Sequence, residues 1–280
     1  MEVVGVSAIG RRALAALSAS GGTARVMAPL STSVYLVAGA EIVWLGARAS
    51  ALHPRAIVCD AGWRPGEAGG PGAPVRVRAW PEAPWLPAAV PRGGGATLAR
   101  SARGLVAAVP RLGRPDGFGA LLVGARPPFP LDGATGPARA LARACERGDP
   151  WGAARAARRL LGLGAGLTPS GDDFVGAAFF ARALLTSAAS PDAVEWRREA
   201  ETIRDAAHGR THPISAALLG DLLTGEGPAP LHDLARALAG AAPEAQALEA
   251  AERLVSLGHC SGWDMLAGFA AGAGALQLVE

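Results

Sequence analysis

From residue 137 onwards, prolines and glycines divide the chain into segments of helical length. Proline is tolerated in the first turn of a helix, where its missing N–H has no partner to lose, and glycine favours the left-handed conformation that ends one. Prolines stand where these segments begin and glycines where they end. The predicted helices cover about 137–147, 150–161, 172–185, 191–208, 214–223, 231–239, 243–257 and 263–278. An all-α domain is therefore predicted over residues 137–280.

The first part of the chain has a different pattern. A helix is predicted at 8–19, and short runs of β-forming residues separated by turn residues follow it. These runs lie at 24–27, 33–38, 41–45, 56–59 and 75–80. Their spacing predicts a small antiparallel β-rich domain with an N-terminal helix over residues 1–110. A connector rich in Pro and Gly, 111–136, would join it to the helical domain, so the expected fold class is α+β.

The basic residues exclude two common classes of enzyme. All 27 of them are Arg, because the sequence contains no Lys. Pyridoxal phosphate enzymes hold their cofactor through a lysine Schiff base, and nucleotide hydrolases with a P-loop place a lysine on the phosphates. Neither class of enzyme fits this chain. No metal motif such as H-E-x-x-H or C-x-x-C occurs either, nor does the G-x-S-x-G of a serine nucleophile elbow.

Charge, cysteine content and hydropathy indicate where the protein works. The net charge is only +3 and the Arg residues are scattered, which predicts no nucleic-acid partner. Cys59, Cys145 and Cys260 are odd in number and lack metal spacing, which favours a reducing compartment. The longest apolar stretches, 174–185 and 265–279, are too short or interrupted for a bilayer, and the N-terminus has no signal-peptide order. We expect a cytoplasmic protein with no membrane partner.

One segment is richer in chemistry than any other: residues 164–176 read G-A-G-L-T-P-S-G-D-D-F-V-G. Ser170 is predicted to cap the helix that follows, with Asp172 and Asp173 at the positive end of its dipole. Capping is worth only about 1 kcal/mol and requires neither the glycines nor two acids. Glycines permit close approach of the backbone, exposed N–H groups at a helix start bind anions, and carboxylates hold a cation or a proton. The segment predicts a site for a carboxylate, carbamoyl or phosphate group, and simple capping is the alternative.

The chain contains a weak echo of this segment. Residues 170–174, S-G-D-D-F, resemble residues 261–265, S-G-W-D-M, and both precede an apolar helix rich in small residues. If the two helix starts face each other, Asp172, Asp173 and Asp264 converge with two serine hydroxyls. The alternative is that short S-G-x-D strings recur by chance at helix starts.

A third candidate segment is H-G-R-T-H-P-I-S at residues 208–215. Thr211 or His212 could cap the helix predicted after it. Its two His and one Arg could instead bind an acidic ligand or transfer protons. By contrast, His53 and His232 are predicted to be surface residues. The three segments together supply the expected site residues. The expected catalytic residues are Asp172, Asp173 and Asp264, and the expected substrate-binding residues are Gly164, Gly166, Thr168, Ser170, Gly171, Arg210, Thr211, His212, Ser215, His259, Ser261 and Gly262.

In this order, the three segments resemble the bacterial family that contains the AllH-type subunit of oxamate carbamoyltransferase. The matching residues are G-L-G-A-G-L-T-P-S-G-D-D-F-V-G, then Arg210 to Ser215 with two leucines after it, then G-H-C-S-G-W-D. The chain has Ala165 where the family often has Pro, and Cys260 where Ser is common. The resemblance implies a subunit of a multi-protein carbamoyltransferase of allantoin breakdown. Such an enzyme converts oxalurate and phosphate to oxamate and carbamoyl phosphate, and its partners are other subunits.

Three functions are compatible with these residues. The leading one is a subunit that binds or transforms a small anionic carboxylate or carbamoyl compound. The second is a hydrolase in which Asp172, Asp173 and Asp264 surround Mg²⁺. The third is a non-enzymatic ligand-sensing or scaffold subunit. The last helix, rich in Ala and Gly, is smooth enough to pack in the core or against a second copy in a homo-oligomer.

Overall fold

The computed structural model describes residues 2–3, 5–60, 62–91, 94–186, 191–240 and 242–276. The chain divides into two compact units, Met1–Pro87 and Ala88–Glu280. The first unit is built around a β-sheet and the second is helical, which confirms the predicted α+β class with its β-rich part first. Among the described residues, no helix is long and apolar enough to cross a membrane.

The first unit is a curled seven-stranded sheet with one helix. Four of the six neighbouring strand pairs described are antiparallel, and the pairs β1–β7 and β5–β6 are parallel. The strand order is β1-β7-β3-β4-β5-β6-β2. The elements are β1 Glu2–Val3, β2 Val6–Ile9, α1 Arg11–Ala19, β3 Thr23–Pro29, β4 Ser33–Ala38, β5 Glu41–Gly46, β6 Ala56–Cys59 and β7 Pro74–Val77.

The predicted start of the first helix was wrong by three residues. Ala8 and Ile9 belong to strand β2, where they pair with Val58 and Ile57 of β6, and helix α1 begins only at Arg11. The alternation in V-S-A-I is too short to stand out from the helical pattern that follows it. The core of the unit lies between α1 and the sheet, where Leu17 is fully buried.

The second unit contains every helix that the proline and glycine pattern predicted. Most ends agree within a few residues, but the last helix ends at Gly272 rather than near 278; residues 277 and 278 lie outside the described residues. The helices are α2 Gly95–Ala108, α3 Thr135–Glu146, α4 Pro150–Ala157, α5 Ser170–Leu185, α6 Pro191–Ala207, α7 Pro213–Leu223, α8 Ala229–Ala239, α9 Glu244–Val255 and α10 Ser261–Gly272.

The stretch 111–136, predicted as a connector, is part of the second unit, as is helix α2. It includes a 3-10 helix at Gly117–Val123, which we call the 117–123 helix. The apolar residues of this helix explain why the stretch belongs to the second unit. Phe118 is fully buried, and its ring centroid lies 4.8 Å from that of Phe174 on α5. Because this stretch is rich in Pro and Gly, the sequence did not predict that it contains a short buried helix.

Helices α5 and α10 run side by side in the same direction at the centre of the second unit. A Cβ atom at Gly268 would lie 2.1 Å from the carbonyl oxygen of Phe174, and one at Gly272 would lie 2.1 Å from that of Ala178. The contact thus advances by one turn on both helices at once. Because the two helices are parallel and touch at the backbone, their N-terminal ends are neighbours.

Candidate functional site

The glycines before α5 allow its N-terminus to pack tightly against the rest of the chain. Gly164 has φ +114°, and a Cβ atom there would lie 2.7 Å from the backbone N of Ser170. A Cβ atom at Gly171 would lie 1.9 Å from the carbonyl oxygen of Leu160. The predicted close approach of backbone at these two glycines is therefore an approach to this chain itself.

The start of α10 repeats this packing. A Cβ atom at Gly262 would lie 2.0 Å from the carbonyl oxygen of Leu254, at the end of α9. Gly171 meets Leu160 in the same way, at the end of the helical segment before α5. The S-G-x-D echo is thus a similarity of structure, because in each copy the glycine after serine lets the helix start cross the preceding segment.

The two helix starts face each other, as the echo predicted. A hydrogen bond of 3.4 Å joins Ser170 Oγ on α5 to Sγ of Cys260, just before α10. Thr168 Oγ1 lies 3.2 Å from Ser261 Oγ. The prediction that Ser170 caps α5 was wrong: Pro169 occupies the capping position and Ser170 is the first helical residue. Its hydroxyl is therefore turned to α10 instead of to its own helix.

Asp172 is held by donors from three directions. Its Oδ1 accepts a hydrogen bond of 2.9 Å from the backbone N–H of Gly162. Its Oδ2 accepts one of 2.7 Å from the Ser215 hydroxyl and a second from the Thr211 hydroxyl. The side chain is fully buried and joins the loop before α5 to the start of α7. This is the geometry of a structural anchor, and it also accounts for two of the predicted substrate-binding hydroxyls.

Asp173 is the opposite case. Its side chain is buried, and among the described residues its Oδ2 has no hydrogen-bond partner. Burial raises the pKa of this carboxyl well above its usual value, the negative charges of Asp264 and Asp172 raise it further, and a hydrogen bond from Ser261 offsets part of the rise. The buried surroundings therefore favour the neutral acid form of Asp173 over its carboxylate.

Asp264 also has one engaged oxygen and one unengaged oxygen. Its Oδ1 accepts a hydrogen bond of 2.6 Å from the backbone N–H of Phe118, whereas its Oδ2 is buried without a partner among the described residues. Burial raises the pKa of Asp264 to about 6, although hydrogen bonds from Phe118, Ser170 and Cys260 oppose the rise. This carboxyl therefore titrates close to neutrality.

Sequence reasoning missed Phe118, because it acts through its backbone and not its side chain. The only available signal was the Asp116-Gly117 pair before an apolar run, which is typical of a tight turn. Asp116 accepts a hydrogen bond of 2.7 Å from the Gly117 N–H. Gly117 has φ +54°, and a Cβ atom there would lie 2.3 Å from Asp264 Oδ1. Only glycine leaves room for the carboxyl group to reach the Phe118 N–H.

The rim of the cluster is polar and partly exposed. Cys260 is half-buried, and burial raises the pKa of its thiol to about 11, so that it is not a thiolate at neutral pH. His259 is exposed, and its Nδ1 lies 3.8 Å from Asp116 Oδ2. Gly166, with φ +90°, is exposed as well.

Several amides at the two helix starts are already engaged, which bears on the predicted binding of an anion by exposed N–H groups. In α5, Gly171 N–H donates to the Leu163 carbonyl at 2.8 Å and Asp172 N–H to the Pro169 carbonyl at 2.9 Å. In α10, Gly262 N–H donates to the Leu257 carbonyl at 3.1 Å. The side chains, rather than these amides, remain available to a ligand.

Two residues of the third segment do not enter the cluster. His212 caps α7 by accepting a hydrogen bond of 3.2 Å from the Ile214 N–H, which confirms its predicted capping role. The side chain of Arg210 is exposed, while its carbonyl oxygen lies against Gly162.

The prediction that His232 lies at the surface was wrong. It is buried, its Nε2 accepts a hydrogen bond of 3.1 Å from the Gly227 N–H, and burial lowers its pKa to about 4. An apolar helical pattern around a single His does not reveal that a neighbouring loop supplies its donor.

The three aspartates do not form the metal site considered for a hydrolase. Among the described residues, no group of three or more His, Cys, Asp or Glu side chains is arranged to hold a metal ion. Asp172 shows why, since both of its oxygens are bound to protein donors. Asp173 and Asp264 are the two carboxyls with free capacity.

Fold and site together define an all-α domain with a buried pair of aspartates where two parallel helices begin. Comparison with known protein families finds one family model that matches part of this domain. The family model described as oxamate carbamoyltransferase subunit AllH matches residues 160–273, from just before the glycine-rich loop to just beyond the end of α10. The resemblance noted in the sequence is confirmed over that segment, which is less than half of the chain, and the segment is related to a carbamoyltransferase subunit. No curated protein and no solved structure matches the chain significantly.

Proposed function

We propose that the chain is a catalytic or substrate-binding subunit for carbamoyl transfer, and that Asp173 and Asp264 form its site for a small carboxylate or carbamoyl compound such as oxalurate. One observation carries the proposal. Within the segment matched by the carbamoyltransferase subunit, each of these buried carboxyls keeps one oxygen without a hydrogen-bond partner. Burying an unpaired polar group costs stability, and shifted carboxyl groups of this kind are concentrated at functional sites.

The two carboxyls have complementary chemistry at neutral pH. The raised pKa of Asp173 favours the neutral acid, which can donate a proton, whereas Asp264, with its pKa of about 6, is mostly a carboxylate that accepts one. A pair of groups whose pKa values are held apart is the arrangement that general acid and base catalysis requires.

The proposed reaction uses both groups. An oxygen of phosphate forms a bond to the carbamoyl carbon of oxalurate, and the bond from that carbon to the nitrogen of oxamate breaks. Asp264 accepts the proton that phosphate loses, and Asp173 donates the proton that the leaving nitrogen gains. Protons and charge therefore balance, and transfer of the proton from Asp264 to Asp173 restores the pair. Ser170, Thr168 and Ser261 supply hydroxyls beside it.

The test is formation of carbamoyl phosphate from oxalurate and phosphate, measured with the chain alone and with candidate partner subunits. We expect Asp173→Asn and Asp264→Asn each to lower turnover by about 100-fold or more, the usual contribution of a positioned acid or base. Asp132→Asn, a change at an exposed carboxyl, is the matched control and should leave turnover unchanged.

Two outcomes would contradict the catalytic assignment. Full turnover by folded Asp173→Asn and Asp264→Asn proteins would place the reaction elsewhere. Thermal stabilisation by oxalurate or oxamate, with no turnover in any mixture of subunits, would support the ligand-sensing alternative instead.

A further inference from the structure

Asp173 and Asp264 occupy the same place in the two S-G-x-D segments, three residues after the serine that begins each helix. We propose that these two carboxyl groups hold a single proton between them and act as one unit, which presents one hydrogen-bond donor and one acceptor to a ligand. This inference rests on the proposed function, since it specifies the form in which that site is active and the kind of group it prefers.

The packing of α5 on α10 brings the two side chains together. Gly268 touches the backbone of Phe174, the residue after Asp173, and Asp264 lies one turn before Gly268. The helix starts are also joined by the contacts Ser170–Cys260 and Thr168–Ser261. Asp173 and Asp264 each stand in the first turn of their helix, both are buried, and the charge of Asp264 is close enough to raise the pKa of Asp173.

Each aspartate is influenced by the serine of the opposite helix start. The hydroxyl of Ser261, the first residue of α10, lowers the pKa of Asp173, and the hydroxyl of Ser170, the first residue of α5, lowers that of Asp264. The unpartnered Oδ2 atom of each carboxyl remains, and both are buried. Two buried polar atoms without partners in one cluster indicate that something absent from the protein itself completes the site.

The charged groups around the pair do not neutralise it. Asp172 lies beside Asp173 and raises its pKa, and Asp116, the residue just before the 117–123 helix, raises that of Asp264. Cys260 contributes a neutral thiol, and His259 lies 3.8 Å from Asp116 at the exposed rim. Among the described residues, none of the groups that shift the pKa values of the two carboxyls is a cation.

Two carboxylates in such a place cannot both be ionised near neutrality. Their charges repel in a region that water does not screen, and no cation offsets the repulsion, so one proton is retained. The retained proton gives the pair an O–H donor beside a carboxylate acceptor. Its natural complement is a group with a carbonyl oxygen and an N–H side by side, which is a primary amide or a ureido group. A second carboxylate would add repulsion.

The first part of the test follows the carboxyl groups directly. Protein labelled with ¹³C at its aspartate carboxyl carbons is titrated by NMR between about pH 4 and pH 9, and Asp173→Asn and Asp264→Asn assign the two signals. We expect two separate steps, and we expect Asp264→Asn to lower the midpoint of Asp173 by about one pH unit or more, because it removes the charge that is present when Asp173 titrates. Asp173→Asn replaces a neutral acid with a neutral amide and should leave the midpoint of Asp264 nearly unchanged. A midpoint of Asp173 that does not respond to Asp264→Asn would overturn the shared proton.

The second part compares two probes of nearly equal size, oxamate and oxalate, by calorimetry near neutral pH. Oxamate carries one amide, whereas oxalate carries a carboxylate in its place. We expect oxamate to bind about tenfold more tightly or better, and Asp173→Asn to reduce that preference. Equal binding of both probes would overturn the inferred preference for an amide.

The outcomes separate this inference from the proposed function. If both probes bind and oxalurate is turned over, but the two carboxyls titrate independently, the shared proton is wrong and the proposed function stands. If the titrations are coupled but neither probe binds and no mixture turns oxalurate over, the shared proton stands and the proposed function is wrong.

Discussion

Neighbouring residues with the same side chain have opposite tasks in this site. Asp172 accepts three hydrogen bonds and fixes the loop before α5 to α7, whereas Asp173 leaves one buried oxygen without a partner among the described residues. A carboxylate that is fully bound stabilises the fold, and one that is buried and unbound costs stability. The D-D pair therefore combines an anchor with a buried carboxyl that keeps an unpartnered oxygen.

This difference predicts opposite effects of the same substitution. Asp172→Asn should lower the free energy of unfolding by about 2 kcal/mol, because an amide cannot accept all three of the hydrogen bonds made to the charged group. Asp173→Asn should leave the free energy of unfolding unchanged or raise it, because it replaces a destabilised acid with a neutral group of the same shape. Urea denaturation near pH 7.5 measures both. The assignment would be wrong if Asp173→Asn were the more destabilising of the two.

The raised pKa of Asp264 predicts how stability depends on pH. In the unfolded chain the group loses its proton near its usual pKa of 3.8, and in the folded protein near 6. Between these values the folded state binds more protons, so this group's stabilisation is complete below about pH 3.8 and is lost as the pH rises through 6. The loss amounts to about 3 kcal/mol.

Denaturation measured at intervals from about pH 4.5 to pH 8 tests this dependence. The difference in the free energy of unfolding between the original protein and Asp264→Asn separates the contribution of Asp264, together with its coupling to Asp173, from those of the other carboxyls. As the pH rises to about 6, the original protein should lose stability relative to Asp264→Asn. A difference that is constant with pH would show that Asp264 titrates normally.

At the scale of elements, the site depends on how closely α5 and α10 approach. Gly268 and Gly272 allow the two backbones to touch, and this contact determines where Asp264 stands relative to Asp173. The small residues of α10, which were compatible with a core position or with a subunit interface, are used at this contact within the unit. The 117–123 helix completes the arrangement through the Phe118 N–H.

A methyl group added at Gly268 should separate the two helices. A Cβ atom there would meet backbone atoms of Phe174 at 2.1 to 2.9 Å, and these atoms cannot move aside alone. We expect Gly268→Ala to destabilise the protein by about 1–3 kcal/mol and to weaken binding of oxamate. Thermal denaturation and calorimetry provide the two measurements.

The matched control is Gly104→Ala in the exposed face of α2, where a Cβ atom meets nothing within 4 Å. There the substitution should raise stability by about 0.5–1 kcal/mol, the ordinary gain of alanine over glycine in a helix. Equal effects at the two positions would show that the α5–α10 contact does not require glycine.

At the scale of the whole molecule, the sequence predicted the helical part well and the sheet part less well. Proline at helix starts and glycine at helix ends are local signals, so the helices from α3 onwards could be placed without tertiary information. Strand β2 could not be placed in this way, because its four residues show too little periodicity and its partner β6 lies far along the chain.

The convergence of the two helix starts was predicted from the sequence, but the bonding of each aspartate was not. The repeated S-G-x-D strings indicated that the starts of α5 and α10 converge, and the contacts Ser170–Cys260 and Thr168–Ser261 confirm it. The sequence does not show which aspartate is anchored, because that depends on Thr211 and Ser215, some forty residues away. It does not show the Phe118 donor either, since every residue except proline has the same backbone N–H.

The resemblance between the two helix starts is incomplete at one position. Asp172 in the first copy corresponds to Trp263 in the second, and Trp263 packs against the 117–123 helix, where a Cβ atom at Gly119 would lie 2.9 Å from it. Asp172 anchors the start of α5 to α7, whereas Trp263 packs the start of α10 against the 117–123 helix. The surroundings of the two helix starts are therefore not interchangeable, although their serines, glycines and second aspartates correspond.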